Sequence, residues 1–361
     1  MRYGREIDLR QLMSREPIEV DMAPIGKLIC GRRVLVTGAA GSIGRELTAQ
    51  LAALAPLKLC AVDQAETPLH DLSLSLNKAI IPRIANCCDE NAMRRIFQEV
   101  NPEVIFHAAA YKHVPMMETN PHAAVTNNLL ATRVLANLAV ESGTERFVMI
   151  STDKAVNPTN VMGASKRACE LYVQALDSPR THFITTRFGN VLGSQGSVIP
   201  LFLEQLRHGG PLTVTHREVC RYFMLIPEAC KLVLSAAALG NGGEIFVFDM
   251  GKPVRIVDLA RRIIALNGNP SIRISYTGLR PGEKLYEEVL TSDETTLPGP
   301  HPKIKVARVR PAEFNIVGPA VDALIDLAQS PKSTAMEVVG SLKALVPEFL
   351  SSNSPFTELD E

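Results

Sequence analysis

Arg33-Val34-Leu35-Val36-Thr37-Gly38-Ala39-Ala40-Gly41-Ser42-Ile43-Gly44 is the stretch that decides the fold. Arg33 to Thr37 is a short apolar strand, and Gly38 opens a turn with further glycines at 41 and 44. From Ser42 to Leu54, Ile43, Leu47, Leu51 and Leu54 recur at helical spacing. Glycines in a strand-to-helix turn allow backbone to approach a pyrophosphate, which then faces the free amides of the helix N-terminus. Taken alone, the same glycines also suit an ordinary turn. The next strand, Leu57 to Val62, settles the choice because it ends in Asp63, about 20 residues past Gly44. A carboxylate there can bond both hydroxyls of an adenosine ribose and would repel a 2′-phosphate. The stretch therefore predicts a dinucleotide site that prefers NAD over NADP, built on Gly38, Gly41, Ser42, Ile43, Gly44 and Asp63.

Working outward, the pattern repeats. Ile80 to Ile84 reads as a third strand, and Ala92 to Val100 as an amphipathic helix stopped by Asn101-Pro102. Val104 to Ala109 is a fourth strand with His107 inside it. Ala123 to Ser142 is a long helix that Gly143 can cap, and Arg146 to Ser151 is a fifth strand. Strands alternating with helices predict an α/β chain with a Rossmann-type, doubly wound parallel sheet. The Gly- and Pro-bearing stretch from Gly189 to Pro211 marks the start of a smaller C-terminal lobe that would bind substrate. The expected division is an extension or linker at 1–30, a dinucleotide-binding domain at 31–195 completed near 225–250, a substrate lobe at 196–345, and a frayed tail at 346–361.

Composition narrows the function classes. The 361 residues suffice for two or three domains at about 150 residues each, or for one large α/β domain with an appendage. Hydrophobic residues make up 46% and charged residues 21%, which permits a sizeable core and excludes wholesale disorder. Lys plus Arg and Asp plus Glu are both 38, so no broad basic field exists for duplex DNA, and nucleic acid is not an expected partner. The longest apolar runs, Val104 to Ala110 and Leu232 to Leu239, are each interrupted once and are too short to span a bilayer. The opening Met-Arg-Tyr-Gly-Arg-Glu lacks the apolar core of a signal peptide, so a cytoplasmic location is expected. Seven scattered cysteines without a CxxC pair signal neither a disulfide framework nor a metal site.

Two further motifs carry chemistry. Ser151-Thr152-Asp153-Lys154 closes the fifth strand, at the edge where open α/β sheets bind ligands. A solvated, capping turn would use the same residues, but Asp153 and Lys154 also place a proton acceptor beside a donor. Farther on, Met162 and Lys166 lie four apart and so share one helical face. Core packing for Met162 and a surface position for Lys166 are the plain alternatives.

These segments resemble the extended short-chain dehydrogenases/reductases. His107–Glu118 (HAAAYKHVPMME), Arg187–Gly193 (RFGNVLG), Thr213–Met224 (TVTHREVCRYFM) and Leu279–Leu285 (LRPGEKL) narrow the resemblance. It is strongest to the nucleotide-sugar 4,6-dehydratases of bacterial polysaccharide and glycan biosynthesis, above all those acting on UDP-N-acetylglucosamine. It runs from about Arg33 to about Val309. The largest members of that group carry transmembrane helices ahead of the catalytic domain. Residues 5–29 resemble the segment joining those two parts, which implies the cytoplasmic domain of an inner-membrane protein.

The resemblance implies tightly held NAD, with Ala108 and Lys166 joining the glycine turn and Asp63 in binding it. It implies that Lys154 removes the C5 proton of a 4-keto sugar as a neutral base. Asp153 would then protonate the departing 6-hydroxyl. Lys112, His113, Asn190, Arg217, Arg221, Arg280 and Glu283 match positions that line the nucleotide-sugar site, although Arg217 reads equally well as a solvated loop arginine. The expected partners are a UDP-sugar and further copies of the chain in a dimer or larger homo-oligomer. Met162 occupies the position where such enzymes generally carry a tyrosine. A thioether has no proton to exchange, so the 4-hydroxyl proton would fall to Asp153, Thr152 or a water. A nucleotide-sugar 4-epimerase, which needs no base at C5, and a non-catalytic NAD-binding protein are the alternatives.

Overall fold

A computed structural model describes residues 8–13, 18–77, 79–268, 270–288, 296–307 and 312–360. Residues 1–7 and 14–17 of the expected extension, the Val309 end of the resemblance and the final residue of the tail lie outside the described residues. A short 3-10 turn (Leu9–Leu12) and helix α1 (Met22–Ile29) precede β1 (Arg33–Thr37), α2 (Ser42–Ala52), β2 (Lys58–Asp63), α3 (Glu66–Ser75), β3 (Ile81–Ile84), α4 (Glu90–Val100) and β4 (Val104–His107). Two short helices, α5 (Val114–Thr119) and α6 (Pro121–Ala124), lead through one π turn (Val125–Leu129) into α7 (Leu130–Ser142). Then come β5 (Arg146–Ile150), α8 (Val161–Ala175), β6 (His182–Arg187) and β7 (Asn190–Leu192). The chain continues with α9 (Val198–Arg207), β8 (Leu212–Val214), β9 (Cys220–Arg221), β10 (Phe223–Leu225), α10 (Ile226–Leu239), β11 (Ile245–Phe248), β12 (Val254–Arg255), α11 (Ile256–Asn267) and β13 (Ile274–Tyr276), of which α10 and β11 return to the main sheet. Last are β14 (Thr296–Pro298), β15 (Ile304–Ala307), α12 (Phe314–Gln329) and α13 (Ala335–Leu345).

Nine strands form the main sheet in the order β14-β15-β11-β6-β5-β4-β1-β2-β3. From β3 to β11 every pairing is parallel, and the antiparallel pairings are those of β15 with β11 and β14 at the far edge. The order reverses between β1 and β4, so the crevice above that point is where such sheets take ligands. Helices cover both faces, which explains why β1 and β4 read as unbroken apolar runs rather than alternating ones. Successive residues of β1 serve opposite sides: Leu35 packs with Ile105, Phe147 and Leu135 under α4, α7 and α8, whereas Val34 and Val36 pack with Phe106, Leu47 and Leu232 under α1, α2 and α10.

The smaller lobe has its own core of Ile199, Phe202, Leu212, Val214, Leu259 and Ile263, joined by Leu12 from the first 3-10 turn. Two parts of the expected division differ from the structure. Helices α12 and α13 do not join this lobe; Val321, Leu324, Val339 and Leu342 complete the core on the α8 side of the main sheet. The polar composition of the tail predicts fraying, but residues 350–360 are anchored. Leu350 N donates to Pro158 O, Ser352 N to Thr159 O, and Gly282 N to Ser352 O, while Phe356 is buried. Backbone pairing and one aromatic anchor outweigh the polar side chains. Among the described residues no helix is long and apolar enough to cross a membrane.

Candidate active site

Two glycines of the turn have no room for a side chain. Gly38 adopts φ +65°, and a Cβ there would sit 2.6 Å from the Ala109 backbone; one on Gly44 would sit 2.0 Å from Gly38 O. The turn thus lies directly against the ends of β1 and β4 and presents backbone at the start of α2. Asp63 braces it, its Oδ2 accepting from Ala40 N at 2.9 Å and its Oδ1 from Ala65 N at 2.9 Å. A cavity of about 150 Å³ lies beside Asp63, lined by Gly38, Gly41, Gln64, Cys87 and Ala108. A larger cavity of about 810 Å³ shares Gly38, Gly41 and Ala108 with it and takes in Ser42, Ile43 and Gly44. Behind the turn, His107 is buried between Thr37 Oγ1 (2.8 Å from Nδ1) and Thr132 Oγ1 (3.1 Å from Nε2). Burial, aided by nearby Lys166, pushes its pKa down to about 3, so the ring is neutral.

The strand end at β5 supplies the larger cavity's other wall. Ser151 Oγ donates to Glu170 Oε1 at 2.6 Å. Glu170 is buried and paired with Arg187 of β6 at 2.6 Å and with Arg167 at 3.1 Å. Burial alone would raise the Glu170 carboxyl, but the Arg187 guanidinium and Arg167 hold it below the usual range. That buried pair fixes the chain just ahead of Thr152, whose hydroxyl caps the 3-10 turn Asp153–Ala155. Thr152, Lys154, Met162 and Lys166 all line the cavity. Met162 is 3% exposed and belongs to the core, and Lys166 is 4% exposed. Asn160 caps α8 by accepting from Gly163 N at 2.8 Å and also donates to Gly282 O at 3.1 Å, so the helix bearing Met162 and Lys166 is tied to the Leu279–Leu285 segment.

Two expected roles need more than the resting geometry gives. Lys154 Nζ lies 2.9 Å from Asp153 Oδ1, 3.2 Å from Asn190 Oδ1 and 3.5 Å from Glu287 Oε1. Burial alone would lower its pKa, but the Asp153 and Glu287 carboxylates outweigh burial and Arg221 and hold it above the ordinary lysine value. The resting side chain is therefore an ammonium, not the neutral amine the sequence implied. Asp153 is 0% exposed and stands behind the wall rather than on it. Its Oδ1 accepts from Thr152 Oγ1 at 2.9 Å as well as from Lys154, and a Cβ on Gly189 would come within 2.9 Å of its Oδ2. Asp153 thus presents no surface to the cavity in this structure.

The expected substrate residues divide into two groups. Lys112, His113 and Asn190 line the large cavity, and burial lowers the pKa of both Lys112 and His113. Arg217, Arg221, Arg280 and Glu283 do not line it. Arg221 is buried, and its guanidinium is engaged by Cys220 O, Leu285 O and Glu283. Glu283 also accepts from Thr215 Oγ1 and Arg280 N. Arg217 stacks on Tyr276 with its guanidinium carbon 5.0 Å from the ring centre. Three contributors escaped the sequence reading. Asn128, in the π turn, clamps the Tyr111 backbone with both ends of its amide and bonds Ser165 Oγ. Gln195 crosses the cavity mouth, its N–H on Ser42 Oγ and its carbonyl on Lys112 Nζ. Glu287 reaches Lys154 from beyond β13. An asparagine near a glycine-free helix turn and a second carboxylate after Leu279–Leu285 gave no periodic or spacing signal. Among the described residues, no cluster of His, Cys, Asp or Glu could hold a metal ion.

The sheet order, with Lys166 on the helix after the fifth strand, accords with the class that the motifs resemble, the extended short-chain dehydrogenases/reductases. The chain belongs to the family described as polysaccharide biosynthesis protein, which matches residues 34–309. It is 49% identical over 300 residues to the capsular polysaccharide biosynthesis protein CapD of Staphylococcus aureus, an alignment covering 80% of this chain and 50% of that protein. The chain thus spans about half the length of such curated relatives. A UDP-N-acetylglucosamine 4,6-dehydratase (inverting) of Campylobacter jejuni is 32% identical, covering 74% of this chain and 80% of that one. A UDP-glucose 4-epimerase of Rickettsia rickettsii is 31% identical, covering 73% and 79%. Among solved structures, Pen from Bacillus thuringiensis superposes with a TM-score of 0.73 at 30% identity, covering 77% of this chain and 86% of that chain.

Proposed function

We propose that this chain is an NAD-dependent dehydratase that converts UDP-N-acetylglucosamine to the UDP-4-keto-6-deoxy-N-acetylhexosamine for polysaccharide or glycan assembly. The observation that carries the reading is the Asp153–Lys154 pair, 2.9 Å apart, with Lys154 on the wall of the cavity that the glycine turn opens. The closely packed glycine turn and the Asp63 cavity fit a dinucleotide. Gly38, Gly41, Ser42, Ile43, Gly44, Asp63, Ala108 and Lys166 would hold it. Bound there, NAD would supply a reversible hydride acceptor, so dehydration needs no net oxidant.

A 4-keto sugar has an acidic C5 proton and a leaving hydroxyl at C6, so elimination needs one base and one acid. A single proton transfer supplies both. When the Lys154 ammonium gives a proton to Asp153 Oδ1, an N–H bond breaks, an O–H bond forms, and the pair's net charge stays the same. Lys154 then takes the C5 proton. Asp153 hands its proton to Thr152 Oγ1, and the Thr152 proton passes to the departing 6-hydroxyl, which leaves as water. The pair returns to ammonium and carboxylate. Thr152 serves because it bonds Asp153 and also lines the cavity. Lys112, His113 and Asn190 would meet the sugar nucleotide, and exposed Arg217 and Arg280 are the arginines left for its pyrophosphate. The 32%-identical relative named as a dehydratase supports the substrate, and the 31%-identical relative named as an epimerase supports a second reading, 4-epimerisation.

Proton NMR of UDP-N-acetylglucosamine with the protein in deuterated water separates these readings. Dehydration replaces the hydroxymethyl signals by a 6-deoxy methyl signal and exchanges C5 with solvent. Appearance of the C4 epimer with an intact hydroxymethyl group would establish the epimerase instead.

A further inference from the structure

Glu287 belongs to neither the strand-end motif nor the expected substrate set, yet it is one of two carboxylates on Lys154. It approaches from the chain beyond β13, with Oε1 3.5 Å from Lys154 Nζ and 3.6 Å from Arg221 Nε. Its side chain is 3% exposed, and Oε2 has no hydrogen-bond partner among the described residues. Asp153 Oδ2 is in the same condition on the other side of the ammonium. A buried carboxylate left half-satisfied costs stability, so its presence calls for a role other than packing.

We propose that Glu287 is a positioning residue for Lys154, holding the ammonium against Asp153 and setting how readily it surrenders its proton. In the shift from ammonium and carboxylate to amine and carboxyl, the positive charge leaves Nζ, and the Glu287 charge resists that step. Arg221 opposes Glu287, since a second cation beside Lys154 favours the neutral amine. Both act on one atom from residues far apart in the chain. The charged groups around Lys154 are Asp153 on its own turn, Arg221 on β9, and Glu287 and Lys284 on the chain after β13. Glu283 is bound to Arg221 and so tempers it. Glu287 therefore biases the proton that the elimination borrows.

The part played in turnover rests on the dehydratase reading, but the effect on Lys154 does not, and the test uses that difference. The intact protein is labelled with acetic anhydride across a pH series, and acetylation of Lys154 is followed by mass spectrometry. Only the neutral amine reacts. In wild-type protein the midpoint for Lys154 lies above the ordinary lysine value. In Glu287→Gln it falls by about one unit, the lower end for losing an opposite charge at this range, which is about a tenfold faster reaction at fixed pH. Glu287→Asp, which keeps the charge, restores most of the wild-type midpoint. A wild-type midpoint at or below the ordinary lysine value, or an unchanged midpoint in folded Glu287→Gln, overturns the proposal. The first of these needs no variant to fold. Failure to turn over UDP-N-acetylglucosamine would remove the dehydratase reading while leaving this result intact.

Discussion

The two ends of the large cavity are built from different materials. At the glycine turn the working surface is largely backbone: the start of α2, glycines 38 and 44 with no room for a Cβ, and Asp63 bonded to Ala40 N. The nearby histidine is neutral. At the β5 end the surface is charge: Lys154 between two carboxylates, Arg221 against Glu283 and Glu287, and a buried Arg187–Glu170 pair underneath. A backbone site needs only local sequence, whereas a charge cluster needs groups that meet only after folding. On the proposed function, the first kind of site chiefly holds the dinucleotide and the second moves protons.

The sharpest break of this contrast is Lys154→Ala. Turnover should fall at least about 100-fold, the low end for a positioned base, while nucleotide binding measured by calorimetry stays near wild type, because the turn contributes no side chain from the β5 end. Loss of both together would show that the two ends are not separable.

The second prediction uses pH. His107 has a folded pKa lowered from 6.5 to about 3, so the unfolded chain binds a proton that the folded chain refuses between those values. Stability should fall as pH drops through that window, by roughly 1 kcal/mol per pH unit from this group. Lys154 has the opposite sign. Its folded pKa is raised, so its contribution is fully present below the ordinary lysine value and is lost as pH rises through the folded value. Urea midpoints across pH, with His107→Gln for comparison, should show the acid slope shrink in the variant and the alkaline loss persist. An unchanged acid slope would remove His107 as its source.

The smallest effect is expected at Met162→Leu. Met162 is core on the cavity wall, and a volume-conserving swap should cost less than about 1.5 kcal/mol. Activity should stay within roughly tenfold, because no proton goes with the sulfur. A larger loss in a folded variant would give the thioether a part at the charged end.

The same contrast explains what the sequence made legible. Strands β1, β2, β4 and β5 and their order follow from apolar runs alternating with helices, and Gly38, Gly41, Gly44 and Asp63 lie where a local reading puts them. Thr152, Lys154, Met162 and Lys166 also converge, since one strand end and one helix face carry them. The protonation of Lys154 was only half legible: adjacent Asp153, the larger of the two carboxylate influences, stands in the motif itself, whereas Glu287 lies more than a hundred residues downstream. The burial of Asp153 behind Gly189 and the diversion of Arg221 to Glu283 are likewise products of long-range packing. Polar composition misled at the tail, where residues 350–360 find backbone partners that no periodicity announces.

The tail pairing has a consequence for the order in which the molecule is born. Ser352 joins Thr159, just ahead of α8, to Gly282, in the segment that brings Glu283 to Arg221 and Glu287 to Lys154. Synthesis runs from the N-terminus, and early parts fold first. The glycine turn, β1, β2 and β4 are complete while the segment that braces the charged end is still inside the ribosome. A nascent chain would gain its grip on a nucleotide well before it gained the means to do chemistry, which waits on residues 350–360 and the segment they brace.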